Sequence, residues 1–174
     1  RRVLFRSSLE VLKTILKDER VRIKNPIKAM KPNSSVVISK NLTLELVNVT
    51  HSTPQTAFIV IHTPEGAIVY GNDFKLDNHP VVGTKPNYKR LKEIEKKGVL
   101  AFIGDALYSD VDMKTPSEKV AREMLKDVLL GTDNKGNLVI VTTFASQIAR
   151  LKSIVEFGKK MNRKIVFLGR SLHK

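Results

Sequence analysis

The chain has 174 residues, 41% of them hydrophobic, and a formal charge of +14 from 31 Lys and Arg against 17 Asp and Glu. That is enough length and apolar content to bury a core, which excludes disorder as a description of the whole. The absence of cysteine excludes disulfides, iron–sulfur clusters and thiolate zinc sites, and no apolar run approaches the ~18 residues of a membrane span.

Residues 1–7 (RRVLFRS) read as a non-native scar and are set apart from the fold. Leu9, Val11, Leu12, Ile15 and Leu16 fall at helical spacing, which predicts a helix over residues 8–19 capped by Ser7 or Ser8. A basic, Pro-containing stretch follows. Residues 35–39 and 42–49 are predicted strands, and in the second Leu44, Leu46 and Asn48 alternate with Glu45, Val47 and Val49. Residues 57–62 and 67–70 are strands joined by the hairpin signal Pro64-Glu65-Gly66.

A short polar helix is predicted over residues 88–96, then a continuous apolar strand of the buried type over 99–103, then a loop over 109–114. Thr115-Pro116-Ser117-Glu118 opens the next helix, with Thr115 as cap, Pro116 in first position and Glu118 closing a capping box. Val120, Met124, Leu125 and Val128 are its expected inner face. A second buried strand is predicted over 138–141, a helix over 145–160 and a last strand over 164–168. In that helix Ile148, Leu151, Ile154, Val155 and Phe157 are expected inward.

The fold class is therefore α/β with two patterns. Hairpin-connected strands run to about residue 82. From about residue 99 strands and helices alternate, which implies a parallel sheet with crossover helices. The boundary is placed within 83–98, dividing a part at 8–97 from a part at 98–174.

The charge points to a polyanion partner, most simply nucleic acid, or to a Lys-rich solvated surface. Two short runs could carry chemistry. Val49-Thr50-His51-Ser52 places a lone His just after an apolar strand, and Tyr70-Gly71-Asn72-Asp73-Phe74-Lys75 places an Asp just after the next hairpin. Strand ends project side chains into loops, where sites are built. A His and an Asp there have the donor chemistry to share a divalent metal. Taken alone, such a His also reads as a capped or solvated side chain, and such an Asp as a turn residue. His62 reads as a sheet-face residue and His79 as a loop residue.

The pair, in this order and with the TPEG hairpin between, resembles the metallo-β-lactamase fold of nucleic-acid-processing hydrolases. Gly71-Asn72-Asp73-Phe74-Lys75-Leu76-Asp77 looks like the family's G-D-F-K motif with Asn72 inserted. Phe102-Ile103-Gly104-Asp105-Ala106-Leu107-Tyr108, followed by Thr115-Pro116-Ser117-Glu118, resembles the opening of a β-CASP insertion domain. Val141-Thr142-Thr143-Phe144-Ala145-Ser146-Gln147-Ile148-Ala149-Arg150-Leu151 looks like the T-T-F-A-S signature of ribonuclease J-like proteins of archaeal type. The resemblance covers roughly residues 35–174. The family's H-x-H-x-D-H motif is not in the chain, whose histidines are His51, His62, His79 and His173, and Ala106 stands where the family commonly has Ser or Thr.

The resemblance implies a partial metallo-β-lactamase domain at 8–97 and the N-terminal part of a β-CASP domain at 98–174. It implies a ribonuclease that hydrolyses RNA phosphodiester bonds with two Zn2+ or Mn2+ ions, 5′→3′ exonucleolytically and with endonuclease activity allowed. His51 and Asp73 would be metal ligands. Asp73 and Asp105 would be the catalytic carboxylates, a turn cap being the other reading of Asp105. Lys75, Ser146 and Arg150 would contact RNA. The expected setting is the cytoplasm, with no membrane partner and with a homodimer allowed in the intact protein. The chain by itself is expected to be inactive. The alternatives are a β-CASP endonuclease of the RNA 3′-end processing type and a non-catalytic basic nucleic-acid-binding module.

Overall fold

The alternating segments pair as neighbours in sequence, because short loops leave adjacent strands antiparallel. In the computed structural model, which describes residues 2–4, 6–24 and 26–172, β1 (Arg2–Leu4) precedes α1 (Arg6–Asp18) and pairs in parallel with β2 (Ile27–Ala29). This two-stranded pair is separate from the main sheet. Residues 1 and 5 of the segment set apart above, and His173, lie outside the described residues.

The main sheet has the order β3 (Ser34–Ser39), β4 (Leu42–Asn48), β5 (Ala57–Thr63), β6 (Gly66–Asn72) and β7 (Val99–Gly104). The first four strands are antiparallel neighbours, with Val47 opposite Phe58 and Val60 opposite Val69. β7 returns parallel to β6 after α2 (Tyr88–Lys97), which makes the crossover. β7 thus belongs by pairing to the sheet that precedes it.

Alternation decides which face is covered. Val47, Val49, Phe58, Val60, Ala67 and Val69 point to one side and close over Ile94 of α2, with Phe74 and Leu91 packed against them. Each of the Val, Ile, Leu and Phe side chains contributes roughly 1.5–3 kcal/mol on full burial. α2 is held in register at its ends. The Asn87 side chain accepts from the Arg90 N–H at 3.1 Å, and Gly98 adopts φ 98°, a conformation that suits glycine at a helix end.

α3 (Glu118–Gly131) and α4 (Ile148–Lys160) pack on each other beyond the sheet. Four expectations differ from the structure. The α3 stripe of Val120, Met124 and Val128 is exposed, while Leu129 is buried and Arg122 faces α4, so the contacting stripe is the adjacent one. On α4 the buried residues are Ala149, Ser153 and Phe157, and Ile148 is exposed. Residues 138–141 and 164–168 are not in strands, and β7 is exposed along its length where a buried strand was expected. β7 pairs along one edge with β6 only, and no strand lies beyond it among the described residues.

Candidate metal centre at one edge of the sheet

Topology brings the candidate residues together. β4 and β6 each lie antiparallel to β5, and β7 is parallel to β6, so β4, β6 and β7 end at the same edge. His51 follows β4, Asp73 follows β6 and Asp105 follows β7. Backbone contacts draw the three loops closer. Thr50 and Lys75 form an antiparallel bridge, with Lys75 N–H donating to Thr50 O at 2.7 Å. Asn72 is opposite Gly104, and Asp105 N–H donates to Asn72 O at 3.4 Å.

Asp73 owes its place to a bulge. The β6–β7 register shifts between Tyr70 and Asn72, so the extra residue of the motif falls where the strand is re-aimed. Asn72 takes φ 35°, a left-handed value that Asn tolerates better than most residues. Phe74 then turns inward and meets Phe58 and Phe102 edge to face, with ring centroids at 5.0 and 5.9 Å. Gly71 admits this cluster, because a Cβ there would sit 3.0 Å from the Phe102 ring and 3.1 Å from the Phe58 ring. With Phe74 packed inward and Lys75 bridged to Thr50, Asp73 is left exposed.

The individual side chains are placed as follows. His51 is exposed, with its Nδ1 3.2 Å from Ser52 Oγ. Asp105 accepts from Leu107 N–H at 3.0 Å and so caps its own turn. Lys75 Nζ lies 3.9 Å from Asp77 Oδ2. Ser146 is exposed. The Arg150 guanidinium is engaged by Glu118 at 2.8 and 3.2 Å, which holds its pKa above the ordinary arginine value. His62 Nε2 donates to the buried Glu45 carboxylate at 2.6 Å on the covered face, and His79 is an exposed loop residue.

The donor set suits a metal only in part. An imidazole nitrogen and a carboxylate oxygen suit a borderline or hard divalent ion. A catalytic zinc takes about three protein ligands, and among the described residues no group of three or more His, Cys, Asp or Glu is placed to hold a metal. His51 and Asp73 fit as part of a donor set and do not complete one.

Sequence reasoning missed Asp77. It is buried, accepts from His79 N–H at 2.8 Å and Glu118 N–H at 2.7 Å, and donates through its own N–H to Thr50 Oγ1 at 2.9 Å. Burial opposes its ionisation, but hydrogen bonds from the Glu118 and His79 amides and the nearby Lys75 ammonium hold the carboxyl below its ordinary value. The Ser117 hydroxyl donates to His79 O at 3.0 Å and accepts from Lys119 N–H at 3.2 Å. Ser117, not Thr115, is therefore the cap of α3, and Glu118 turns to Arg150 instead of closing a capping box. The Glu118 amide is met by Asp77 and the Lys119 amide by Ser117 Oγ, so the helix starts past Pro116. The only signal for this in the sequence was the second Asp of the D-F-K-L-D run, four residues after Asp73.

The sheet, its parallel return through α2 and the α3–α4 pair define an α/β protein, and the family model described as "Ribonuclease J, beta-CASP domain" matches residues 136–174. Proteins named "Ribonuclease J" from Methanocaldococcus jannaschii and Pyrococcus abyssi are each 45% identical to the chain, over 93% and 90% of its length. One from Thermus thermophilus is 36% identical over 85%. The chain is thus similar to part of these ribonuclease J proteins, and its residues 136–174 match the β-CASP domain model. It spans 36%, 35% and 25% of the lengths of those three relatives. A crystal structure of a protein of unknown function from Enterococcus faecalis V583 shares the fold, with a TM-score of 0.63 at 16% identity, covering 88% of this chain and 38% of that one.

Proposed function

We propose that the protein carrying this chain is a metal-dependent ribonuclease that hydrolyses RNA phosphodiester bonds, chiefly 5′→3′ from an end and secondarily by internal cuts. The observation that carries this reading is the arrival of His51, Asp73 and Asp105 at one sheet edge, in a chain 45% identical to two proteins named Ribonuclease J. Residues 8–97 would be the metallo-β-lactamase part and residues 98–174 the β-CASP part, with β7 joining them.

The implied cofactor is a pair of Zn2+ or Mn2+ ions, which when bound would supply charge stabilisation to an in-line displacement at phosphorus. His51 offers a neutral nitrogen and Asp73 two carboxylate oxygens that can be shared. Asp105, held in its turn by Leu107, is placed to orient a neighbouring group or take a proton. Lys75 and Ser146 are the proposed contacts to the RNA backbone, in a chain whose net charge of +14 favours a polyanion. For Arg150 the pairing with Glu118 favours a structural duty over its expected RNA contact. No helix among the described residues is long and apolar enough to cross a membrane. A cytoplasmic setting is part of the proposal.

The test is Asp73→Ala in the full-length protein, assayed on RNA labelled at either end. We expect cleavage to fall by more than about 100-fold, beyond the usual cost of losing an outer partner of a metal, while RNA binding is retained. Cleavage at the wild-type rate would overturn the reading and favour the basic binding module that the charge alone would support. Internal products from a 3′-end precursor, without stepwise trimming, would favour the 3′-end processing alternative.

A further inference from the structure

The two residues flanking His51 are the ends of a closed circuit of hydrogen bonds. Thr50 Oγ1 accepts from Asp77 N–H at 2.9 Å, and Asp77 Oδ2 accepts from Glu118 N–H, the first of α3, at 2.7 Å. The Glu118 carboxylate holds the Arg150 guanidinium on the first turn of α4 through two nitrogens, at 2.8 and 3.2 Å. The opening amide of α4, from Ile148, donates to Ser52 O at 3.1 Å. The path therefore leaves His51 on one side and returns on the other, through two helices distant in sequence.

We propose that Asp77, Glu118 and Arg150 are positioning residues that fix His51 through its two neighbours. This rests on the reading of His51 as a metal ligand. The imidazole itself is exposed, with its Nδ1 at hydrogen-bond distance from Ser52 Oγ. A ligand must be held within about 0.5 Å of its working place, which requires that its supports be locked. Asp77 is suited to this because it is buried and its carboxylate lies at a helix N-terminus. Arg150 is suited because a planar fork meeting a carboxylate through two bonds fixes direction as well as distance. Lysine would keep the charge and lose the fork.

The experiment uses the full-length protein with Asp77→Asn, Glu118→Gln, Arg150→Met, Arg150→Lys and the Glu118→Gln/Arg150→Met double variant. Three quantities are read: hydrogen exchange of the peptide spanning residues 49–56, affinity for Zn2+ alone, and kcat and KM on single-stranded RNA. Each single variant should speed exchange in that peptide and lower Zn2+ affinity and kcat by about 10–100-fold, with KM held within about twofold. The double variant should be no worse than its worse single parent, because both break one link. Arg150→Lys should behave like Arg150→Met. Unchanged exchange at 49–56 overturns the proposal. So does a raised KM at constant kcat in Arg150→Met with recovery in Arg150→Lys, the pattern of a direct RNA contact. Should Asp77→Asn fail to fold, the partly exposed Glu118–Arg150 variants decide alone. A wild-type protein that does not cut RNA would sink the functional reading, while exchange and Zn2+ affinity would still judge the circuit.

Discussion

Glu45 is a carboxylate on the covered face of the sheet, and it is kept charged by its neighbours. Burial opposes its ionisation, but Arg90 at 2.6 and 2.9 Å and His62 at 2.6 Å outweigh that and hold its pKa below the ordinary 4.5. A group whose folded pKa is depressed binds protons more readily when unfolded. Its stabilisation is complete above the ordinary value and is lost as pH falls through the folded value. Acid titration of stability, followed by chemical denaturation, should therefore show a decline below about pH 4.5 that Glu45→Gln flattens. At neutral pH the same substitution should cost about 3 kcal/mol, the lower end for breaking a buried pair, because the Arg90 side chain is 27% exposed. The other residue-scale dependence lies under Asp73. Gly71→Ala would force a methyl against two phenyl rings and should cost about 1–3 kcal/mol. On the proposed function, it should also lower RNA cleavage in the full-length protein by displacing the loop that Phe74 anchors. A variant as stable and active as the wild type would show that the ring cluster can yield.

At the scale of elements, α3 and α4 depend on each other more than on the sheet. Phe157 is 1% exposed, and Arg122 lies over its ring at 4.6 Å while hydrogen bonding to Ser153 Oγ at 3.1 Å. Phe157→Ala should cost about 3–5 kcal/mol. Hydrogen exchange should show protection lost across 118–131 and 148–160 while β4, β5 and β6 keep theirs; equal loss in the sheet would mean that the two units unfold together. The sequence was informative about these helices to the extent that their information is local. Periodicity and turn residues found α1, α2, α3, α4 and the hairpins to within a few residues. Which stripe of α3 faces α4 was not legible, because Arg122 on the contacting face reads as surface and Met124 on the exposed face reads as core. The unpaired segments 138–141 and 164–168 fail for a related reason. An apolar run says that a segment is to be covered, not by what, and a parallel strand exists only through a partner distant in sequence. The candidate site was legible as residue types at strand ends. Its framework was not, because Asp77, Glu118 and Arg150 are joined across 41 and 32 residues.

For the whole molecule the question is how a chain of charge +14 behaves when it also shows apolar side chains to solvent. Leu138, Ile140 and Phe144, 85%, 79% and 79% exposed, lie on the same chain as the unpaired edge and exposed side chains of β7. Such surface promotes association between copies, and a bare strand edge offers a template for it. Like charge opposes association over a distance set by salt, about 10 Å at 0.1 M and about 3 Å at 1 M. Attraction between apolar faces acts at contact and survives screening. The 174-residue chain should accordingly be least associated in dilute salt, with its light-scattering mass rising as salt is added. On the proposed function, binding to RNA should run the other way, because neutralised phosphates release counterions and affinity falls with log salt. The same salt series, read once by light scattering and once by RNA binding, separates the two surfaces. Leu138→Ser with Ile140→Ser should blunt the first curve and leave the second in place. If association instead falls with salt alongside RNA affinity, charge and not apolar surface joins the copies, and the exposed faces of β7 and residues 138–141 are not the cause.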